Sequence, residues 1–422
     1  MLSGAEEMTV AGSALAPRSG PLSDLVIIDC TMALAGPFGT ALLADMGADV
    51  IKIEPPQGDG LRPVGPLPPD YANPETEPPA GVDFGGHFAS INRNKRSVVL
   101  DLKRAGDRET LFLLCEKADA IVENMRVGVM DRLGVGYEAI RQRNPAIVYG
   151  ALRGFGDPRT GESPYAHWPA YDIVAQSMGG LVAITGPGDG GGYPSGVSVG
   201  DIYPGTLLAL GLLAAVGQAR RTGVGQFFDV AMYDAMLRFS ETVVTNFGYN
   251  GSQLPPRDRH HPKLAPFGIF PAADGSVAIA APGTDHWRIL CEVMGREDLV
   301  DDPRTCNPFV RNENLALVEE AITAWTSVRT RREIMGDLGG RVPCGPVNSA
   351  ADIFADPHVA AREMISRFEL PGDNPEVAIT GNPIKFQDSA TALYRRPPRL
   401  GEHNAEVLRE FGIDGGGHSE AR

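Results

Sequence analysis

The residue with the clearest potential for chemistry is Asp201, which ends the segment 196–201 and precedes an apolar stretch predicted to be helical over 202–221. Aspartate is a favoured N-cap residue, because its side chain accepts hydrogen bonds from the free N–H groups of the first helical turn. A carboxylate at the edge of a glycine-rich loop can also act as a nucleophile toward a thioester. Residue types alone favour the cap over the nucleophile.

A second candidate is the basic run NRNKR at 92–96, which is followed by Lys103 in an otherwise acidic chain. Arginine and lysine donate hydrogen bonds to phosphate oxygens, so the run fits the binding of a phosphorylated ligand. Arg126 and Arg132, which follow the next predicted strand, could join this patch. The alternative is a solvated charged surface, which is the usual interpretation of a basic run.

The sequence offers little for cofactor or metal chemistry. The turn AGPFG at 35–39 lies where a Rossmann fold binds pyrophosphate, but it is not GxGxxG, so we predict no nicotinamide cofactor. His260, His261 and His286 do not have the spacing of a metal site, and no HExxH motif occurs. We therefore expect no metal and no permanently bound cofactor.

Alternating apolar runs and helical patterns predict a doubly wound α/β domain. A β-branched run at 25–29, a helix over 37–46 and a strand over 49–53 form a βαβ unit, which implies a parallel sheet. The segment 55–82 is dense in proline, so we expect a long surface loop there. The alternation then resumes. Strands are predicted at 97–101, 120–122, 147–150 and 226–230, and helices at 107–117, 137–143 and 171–178.

We expect the chain to divide into four parts, since 422 residues exceed one compact core. These are a flexible tail at 1–20, a large domain that begins at 21–225, a smaller inserted α+β domain at 226–335, and a C-terminal segment at 336–422 that returns to the large domain.

The charge, the cysteines and the apolar runs of the chain argue against some classes of partner and location. A formal net charge of −15 disfavours nucleic acid as a partner. The 5 cysteines form no CxxC pair, which fits a reducing, cytoplasmic location. The apolar run at 207–216 is shorter than a membrane span, and the N-terminus lacks the pattern of a signal peptide, so we expect no membrane partner.

Longer blocks resemble the class III CoA-transferase family (CaiB/BaiF), which includes formyl-CoA transferase, carnitine CoA-transferase and the α-methylacyl-CoA racemases. The resemblance runs from about Leu25 to about Phe411. It implies a Rossmann-like large domain whose parallel sheet is built from the N- and C-terminal segments, a small inserted domain, and an interlocked homodimer. It rests on LAGPFGTALLADMGADVIKIEPPQGD from Leu34, NRNKRSVVLDLK from Asn92, VENMRVGVMDRLGVGYE from Val122, YDIVAQSMGGL from Tyr171, RTGVGQFFDVAMYDA from Arg221 and VPCGPVNSAADIFADPHVAAREM from Val342.

The resemblance also implies roles for individual residues. The segment SGVSVGD matches the family segment that ends in its nucleophile, which would be Asp201. An acyl-CoA donor and a carboxylic acid acceptor would then exchange CoA through an aspartyl anhydride and an aspartyl-CoA thioester. Residues that fall on positions contacting CoA are Leu34, Ala35, Leu100, Lys103, Asn124, Met125, Arg126, Arg132, Tyr171 and Asp172.

The chain also departs from the family's patterns. A CoA-contacting basic residue of formyl-CoA transferase aligns with Pro55, a glutamine of its active site aligns with Leu34, and its run of glycines is missing around 258–266. These departures argue against formate and oxalate as the acids. The rival activity in the family is racemisation of acyl-CoA, but Tyr171 replaces the racemase histidine and is a poor base near neutral pH. A non-catalytic CoA-binding protein is the remaining alternative.

Overall fold

In the computed structural model, residues 18–66, 84–188, 191–370, 376–389 and 391–413 are described. Most of the tail predicted at 1–20 and much of the proline-rich segment fall outside these ranges. The chain groups into two compact units. Unit 1 comprises residues 1–179, 196–239 and 360–422, and unit 2 comprises residues 180–195 and 240–359.

Unit 1 is built on a six-stranded parallel sheet of order β3-β2-β1-β4-β5-β6, which is the Rossmann order. Except for the half-buried edge strand at 227–231, the strands are almost wholly buried, as expected when helices cover both faces of a parallel sheet. Among the described residues every strand of this sheet lies between residues 26 and 231, so the C-terminal segment adds no strand to it, contrary to expectation, although residues 360–422 do group with unit 1. The strands are β1 (Val26–Cys30), β2 (Asp49–Glu54), β3 (Arg96–Val99), β4 (Ala120–Glu123), β5 (Val148–Arg153) and β6 (Phe227–Ala231).

The helices of unit 1 follow the predicted alternation, except for two short helices at 86–92 and 129–132 that were not predicted. The long apolar helix begins at Val199, three residues earlier than predicted, so that Asp201 lies inside it. The helices are α1 (Ala35–Asp45), α2 (Gly86–Asn92), α3 (Ala105–Glu116), α4 (Val129–Arg132), α5 (Tyr137–Arg143), α6 (Asp172–Met178), α7 (Val199–Thr222) and α8 (Met232–Phe239).

Unit 2 combines a three-stranded antiparallel sheet with helices around the buried side chains of Phe270, Trp287 and Trp325. Its helices are α9 (Glu241–Asn250), α10 (Thr284–Met294), α11 (Pro308–Glu313), α12 (Leu315–Thr326), α13 (Arg331–Leu338), α14 (Ala350–Ala355) and α15 (Pro357–Ala361), the last of which ends in unit 1. Its strands are β7 (Phe267–Ala272), β8 (Gly275–Ala280) and β9 (Cys344–Pro346).

These elements differ from the predicted division at 226 and 335. Strand β6 pairs with β5, so residues 227–231 belong to the large sheet and not to a small domain. Strand β9 pairs with β8, so residues 344–346 stay with unit 2. The C-terminal segment adds the hairpin β10 (Ile365–Glu369) and β11 (Glu376–Thr380), and the helix α16 (Asn404–Glu410).

The basic run 92–96 is buried, which corrects its interpretation as a phosphate-binding patch or a solvated surface. Buried charges need partners, and each cation here has one. Arg93 pairs with Asp45 at 2.6 Å and Lys95 with Asp29 at 3.0 Å. Arg96 pairs with Asp49 and with two glutamates of α16, which attaches the C-terminal helix to strand β3.

Helix α7 is long and apolar enough to cross a membrane, yet it packs inside unit 1 against α1, β5 and α8. Glycines allow a close approach to α1: a Cβ at Gly205 would lie 2.2 Å from the carbonyl oxygen of Ala35, and one at Gly39 would lie 2.2 Å from that of Gly205. The first turns of the two helices are therefore placed by backbone contact.

We predict that Gly205→Ala lowers the free energy of unfolding by about 1–3 kcal/mol, because the new methyl group forces the two helices apart. Gly217→Ala on the same helix is the matched control, since its Cβ would meet only the end of Arg221 at 3.6 Å. The control should be neutral or stabilising by up to about 1 kcal/mol. Chemical denaturation measures both, and equal effects would contradict the close packing.

Candidate active site

A cavity of about 270 Å³ lies in unit 1, at the carboxyl ends of β1, β4 and β5. Beside β1 the strand order reverses, and ligands of open α/β sheets bind at such a switch point. Its walls come from the turn 32–35 after β1, the segment 124–127 after β4, the end of β5, and the loop 166–171 before α6. Asp201 and Met232 complete it.

Asp201 is the carboxylate of this cavity, and it is not a helix cap. It is the third residue of α7, and the N-cap position is held by Ser198. Within the described residues, the Asp201 carboxylate accepts no hydrogen bond and forms no ion pair. A capping aspartate would accept N–H groups of the first turn, so the structure favours the chemical interpretation over the cap.

The surroundings of Asp201 disfavour its charge. Burial, with the nearby charge of Asp172, raises the pKa of Asp201 to about 6. Asp172 itself is satisfied: it accepts the Gly200 N–H at 2.7 Å and the Gln176 side-chain amide at 2.8 and 2.9 Å. Asp172 therefore fixes the backbone next to Asp201, and Asp201 stays unpaired with a poorly stabilised negative charge.

The turn 32–35 is joined to the end of β4 by one side chain. The Asn124 amide accepts the N–H of Met32 at 2.8 Å and donates to the Met32 carbonyl at 2.7 Å. Such a double hydrogen bond ties the ends of β1 and β4 together. The predicted contacts Leu34, Ala35 and Asn124 are thereby brought into one wall.

A buried ion pair supports the next residue of that wall. The Arg153 guanidinium contacts the Glu123 carboxylate at 2.5 and 2.7 Å and donates to the Met125 carbonyl at 2.7 Å. Glu123 in turn accepts the Met125 N–H at 2.7 Å. Both polar groups of the Met125 backbone are thus held, and the Arg126 side chain that follows is exposed at the cavity, with no ion pair among the described residues.

The structure brings together seven of the predicted site residues and leaves four outside the cavity lining. Leu100 is buried in the core, and Lys103 and Arg132 are exposed on the surface. Asp172 lies behind the cavity, where it bonds to Gly200. The seven that line the cavity are Leu34, Ala35, Asn124, Met125, Arg126, Tyr171 and Asp201.

Sequence reasoning missed His167, Trp168, Arg153 and Met232, which also line the cavity. Trp168 is 58% exposed and is supported by Tyr165, with ring centroids 4.6 Å apart. A signal was present in the sequence, because His167 and Trp168 lie just before Tyr171 and Asp172, which the family resemblance places at the CoA site. Met232 lies in the matched block that begins at Arg221 but resembles an ordinary core residue, and Arg153 carried no signal.

The segment before Asp201 also matches the GxSxG pattern of serine hydrolases, with Ser198 at its centre. In those enzymes the serine stands on a sharp turn between a strand and a helix. Here residues 191–198 form a loop and Ser198 does not line the cavity. The pattern therefore gives no hydrolase site. Among the described residues no cluster of histidine, cysteine or carboxylate side chains could hold a metal ion.

Comparison with known proteins decides the family. Residues 22–404 match the family model for CoA-transferase family III. The chain belongs to CoA-transferase family III. It is 43% identical over 398 residues to succinyl-CoA:mesaconate CoA-transferase of Haloarcula hispanica, covering 94% of this chain and 98% of the relative. It is 36% identical to acetyl-CoA:oxalate CoA-transferase of Acetobacter aceti, covering 94% and 97% of the two chains.

Solved structures agree. A CAIB/BAIF family protein from Brucella suis superposes with a TM-score of 0.80 at 32% identity, covering 93% of this chain and all of that one. The predicted resemblance to the CaiB/BaiF family is confirmed, and the protein is a class III CoA-transferase whose substrates are CoA thioesters.

We predict that Asp201→Asn stabilises this family III protein near neutral pH. Because the pKa of Asp201 is raised in the folded state to about 6, the wild type loses stability as the pH rises from about 4 toward 6. The variant should be about 1–2 kcal/mol more stable near pH 7 and similar to the wild type near pH 4.

Denaturation at several pH values tests this. Asp285→Asn, an exposed aspartate in the first turn of α10, is the matched control and should show no gain. A loss of stability in Asp201→Asn at every pH would show instead that the carboxylate stabilises the start of α7.

Proposed function

We propose that this protein moves CoA from an acyl-CoA to a carboxylic acid through covalent intermediates on Asp201. The observation that carries the proposal is the unpaired, half-buried carboxylate in a cavity at the switch point of the sheet. A carboxylate paired with a cation would be a weaker nucleophile, and so would a carboxylate that water hydrates fully. Asp201 is in neither condition.

The proposed reaction needs no external energy source. The Asp201 carboxylate attacks the thioester carbonyl of the donor, CoA thiolate leaves, and a mixed anhydride forms. The thiolate then attacks the aspartyl carbonyl, which releases the donor acid and leaves an aspartyl-CoA thioester. The acceptor carboxylate displaces CoA to form a second anhydride. CoA thiolate attacks the acceptor's carbonyl, so that the new acyl-CoA leaves and Asp201 is regenerated.

We infer that the acids are dicarboxylic. The relatives named above act on mesaconate and oxalate, and a relative from Agrobacterium fabrum that is 34% identical is named succinate–glutarate CoA-transferase. The greater identity to the mesaconate enzyme supports succinyl-CoA as donor and a C4 or C5 dicarboxylate as acceptor. The missing glycine run and Leu34 argue against oxalate itself.

We place CoA along the wall made by the turn 32–35 and the segment 124–126. Arg126 offers an exposed guanidinium at the cavity with no ion pair among the described residues, and Lys103 and Arg132 offer exposed cations outside it. The exposed face of Trp168 adds an apolar surface. Tyr171 is 77% exposed at the cavity and stands where racemases have their histidine, so that position carries no base suited to racemisation.

We also propose that the active form is an interlocked homodimer. Large apolar side chains of unit 1 are exposed, among them Ile173, Leu210 and Phe239. Exposed apolar surface of this kind is often covered by a partner. Sedimentation that shows only a monomer at all concentrations would contradict the dimer.

We predict that Asp201→Asn abolishes transfer of CoA from succinyl-CoA to dicarboxylic acids while the protein remains folded. The amide lacks the anionic oxygen that attacks the thioester, so turnover should fall by at least about 10⁴-fold. Turnover of acyl-CoA donors against a panel of acids, read by mass spectrometry, measures this. A folded variant with near wild-type turnover would remove Asp201 from the mechanism.

We predict that Arg126→Ala and Arg132→Ala each raise the Kd for acyl-CoA by about tenfold at low salt, and by less at high salt, because salt screens the attraction to phosphate. Arg409→Ala, an exposed cation on α16, controls for the general loss of positive charge. Calorimetry at two ionic strengths measures the effect. An unchanged Kd at low salt would exclude the substituted residue from the CoA site.

A further inference from the structure

One residue of the cavity wall has an unfavourable backbone conformation. Ala33 has a φ of 62°, in the left-handed region. For a residue with a Cβ this conformation is unfavourable. Such strain persists only where the surroundings hold it, and it concentrates at functional sites. Ala33 lies between Met32 and Leu34 in the turn that lines the cavity.

A buried ion pair holds this turn from the side away from the cavity. One carboxylate oxygen of Asp59 accepts the Ala33 N–H at 3.1 Å, and the other contacts the Lys52 ammonium at 2.9 Å. The same ammonium donates to the Thr31 carbonyl at 2.9 Å. The pair therefore contacts the turn on both sides of Met32, with side-chain exposures of 0% and 1%.

Asp59 is itself fixed in place. Its backbone N–H donates to Glu54 at 3.0 Å, and its carboxylate accepts the Leu61 N–H at 3.0 Å. Glu54 is held by two bonds from Arg62, at 2.7 and 2.8 Å. Residues 55–66 form no helix or strand and are mostly exposed or half-buried, as predicted for a surface loop, but Asp59 and Arg62 within them are buried.

Lys52 keeps its charge in this environment. Burial opposes the charge, but Asp59, Asp29 and Glu54 outweigh burial and raise the pKa of Lys52 above its ordinary value. Neither Lys52 nor Asp59 lines the cavity, so neither contacts the substrate directly. A role in the reaction must therefore act through the turn.

We propose that Lys52 and Asp59 are positioning residues for CoA transfer: their ion pair holds Ala33 in the left-handed conformation and thereby fixes the wall at Leu34 and Ala35. The inference rests on the proposed function, because that wall is where we place the CoA ester. A purely structural pair would affect stability and leave the kinetic constants of the folded enzyme unchanged.

The test removes both charges together, because loss of one partner would leave an uncompensated buried charge. Lys52→Met/Asp59→Leu should lower kcat/KM for the acyl-CoA by at least about tenfold, since a small displacement of a wall can cost that much. The matched control is Arg93→Met/Asp45→Leu, which removes a buried pair of 2.6 Å elsewhere in unit 1. Its kcat/KM should stay within about twofold of the wild type.

Rescue separates positioning from stability. Glycine adopts a positive φ without strain, so Ala33→Gly should restore part of the lost kcat/KM, by about threefold or more, in the variant that lacks the pair. The gain is measured against Ala33→Gly alone. If Lys52→Met/Asp59→Leu does not fold, Lys52→Met/Asp59→Asn keeps the shape of the aspartate and undergoes the same comparison.

Wild-type kinetic constants in the folded variant, or no gain from Ala33→Gly, would overturn the proposal. Neither result bears on the proposed function, because the activity of the wild type and its loss in Asp201→Asn test that function separately. If the wild-type enzyme showed no transferase activity, that result would contradict the proposed function instead.

Discussion

A carboxylate that must attack a thioester has to stay unpaired, yet an unpaired charge in a partly buried position is costly. In the proposed mechanism Asp201 is that carboxylate: it lies half-buried at the start of α7, where burial and Asp172 raise its pKa to about 6. The arrangement around it follows from this constraint. Helix α7 crosses α1 at Gly39 and Gly205, Asp172 holds the Gly200 N–H, and the carboxyl ends of three strands form the cavity that faces Asp201.

Elsewhere in unit 1 the opposite rule applies, and buried charges are paired. Asp29 illustrates the contrast: burial opposes its charge, but Lys95 and Lys52 hold its pKa at about 2. Ion pairs of this kind add little net stability compared with apolar packing, but they fix geometry where a turn must keep one conformation. The pairs Lys52–Asp59 and Arg153–Glu123 contact two segments of the cavity wall, whereas Asp201 has no cation partner among the described residues.

The sequence was sufficient to predict the order of strands and helices in the large unit, because apolar runs and turn residues alternate clearly up to β6. It misplaced the start of α7, since the residues at 199–201 carry no strong start signal and Asp201 looks like a cap. It also misassigned the run 92–96. Composition shows the cations, but their partners Asp29, Asp45 and Asp49 are more than forty residues away in sequence.

The functional residues were accessible mainly through resemblance to the family. Residue types favoured a structural role for Asp201, and only the matching block pointed to chemistry. Residues such as Lys52, Asp59 and Ala33 could not be found from the sequence, because their role depends on the backbone conformation of one turn and on contacts made inside the fold.

The most direct test of the account is the fate of oxygen in the acceptor acid. In the proposed sequence the acceptor carboxylate forms an anhydride with Asp201, and CoA then attacks the acceptor's carbonyl, so one acceptor oxygen must remain on Asp201. Turnover with a dicarboxylic acid labelled with oxygen-18, followed by mass spectrometry of peptides, should place the heavy isotope in the Asp201 side chain. Label on another residue, or no label after many turnovers, would contradict covalent transfer through Asp201.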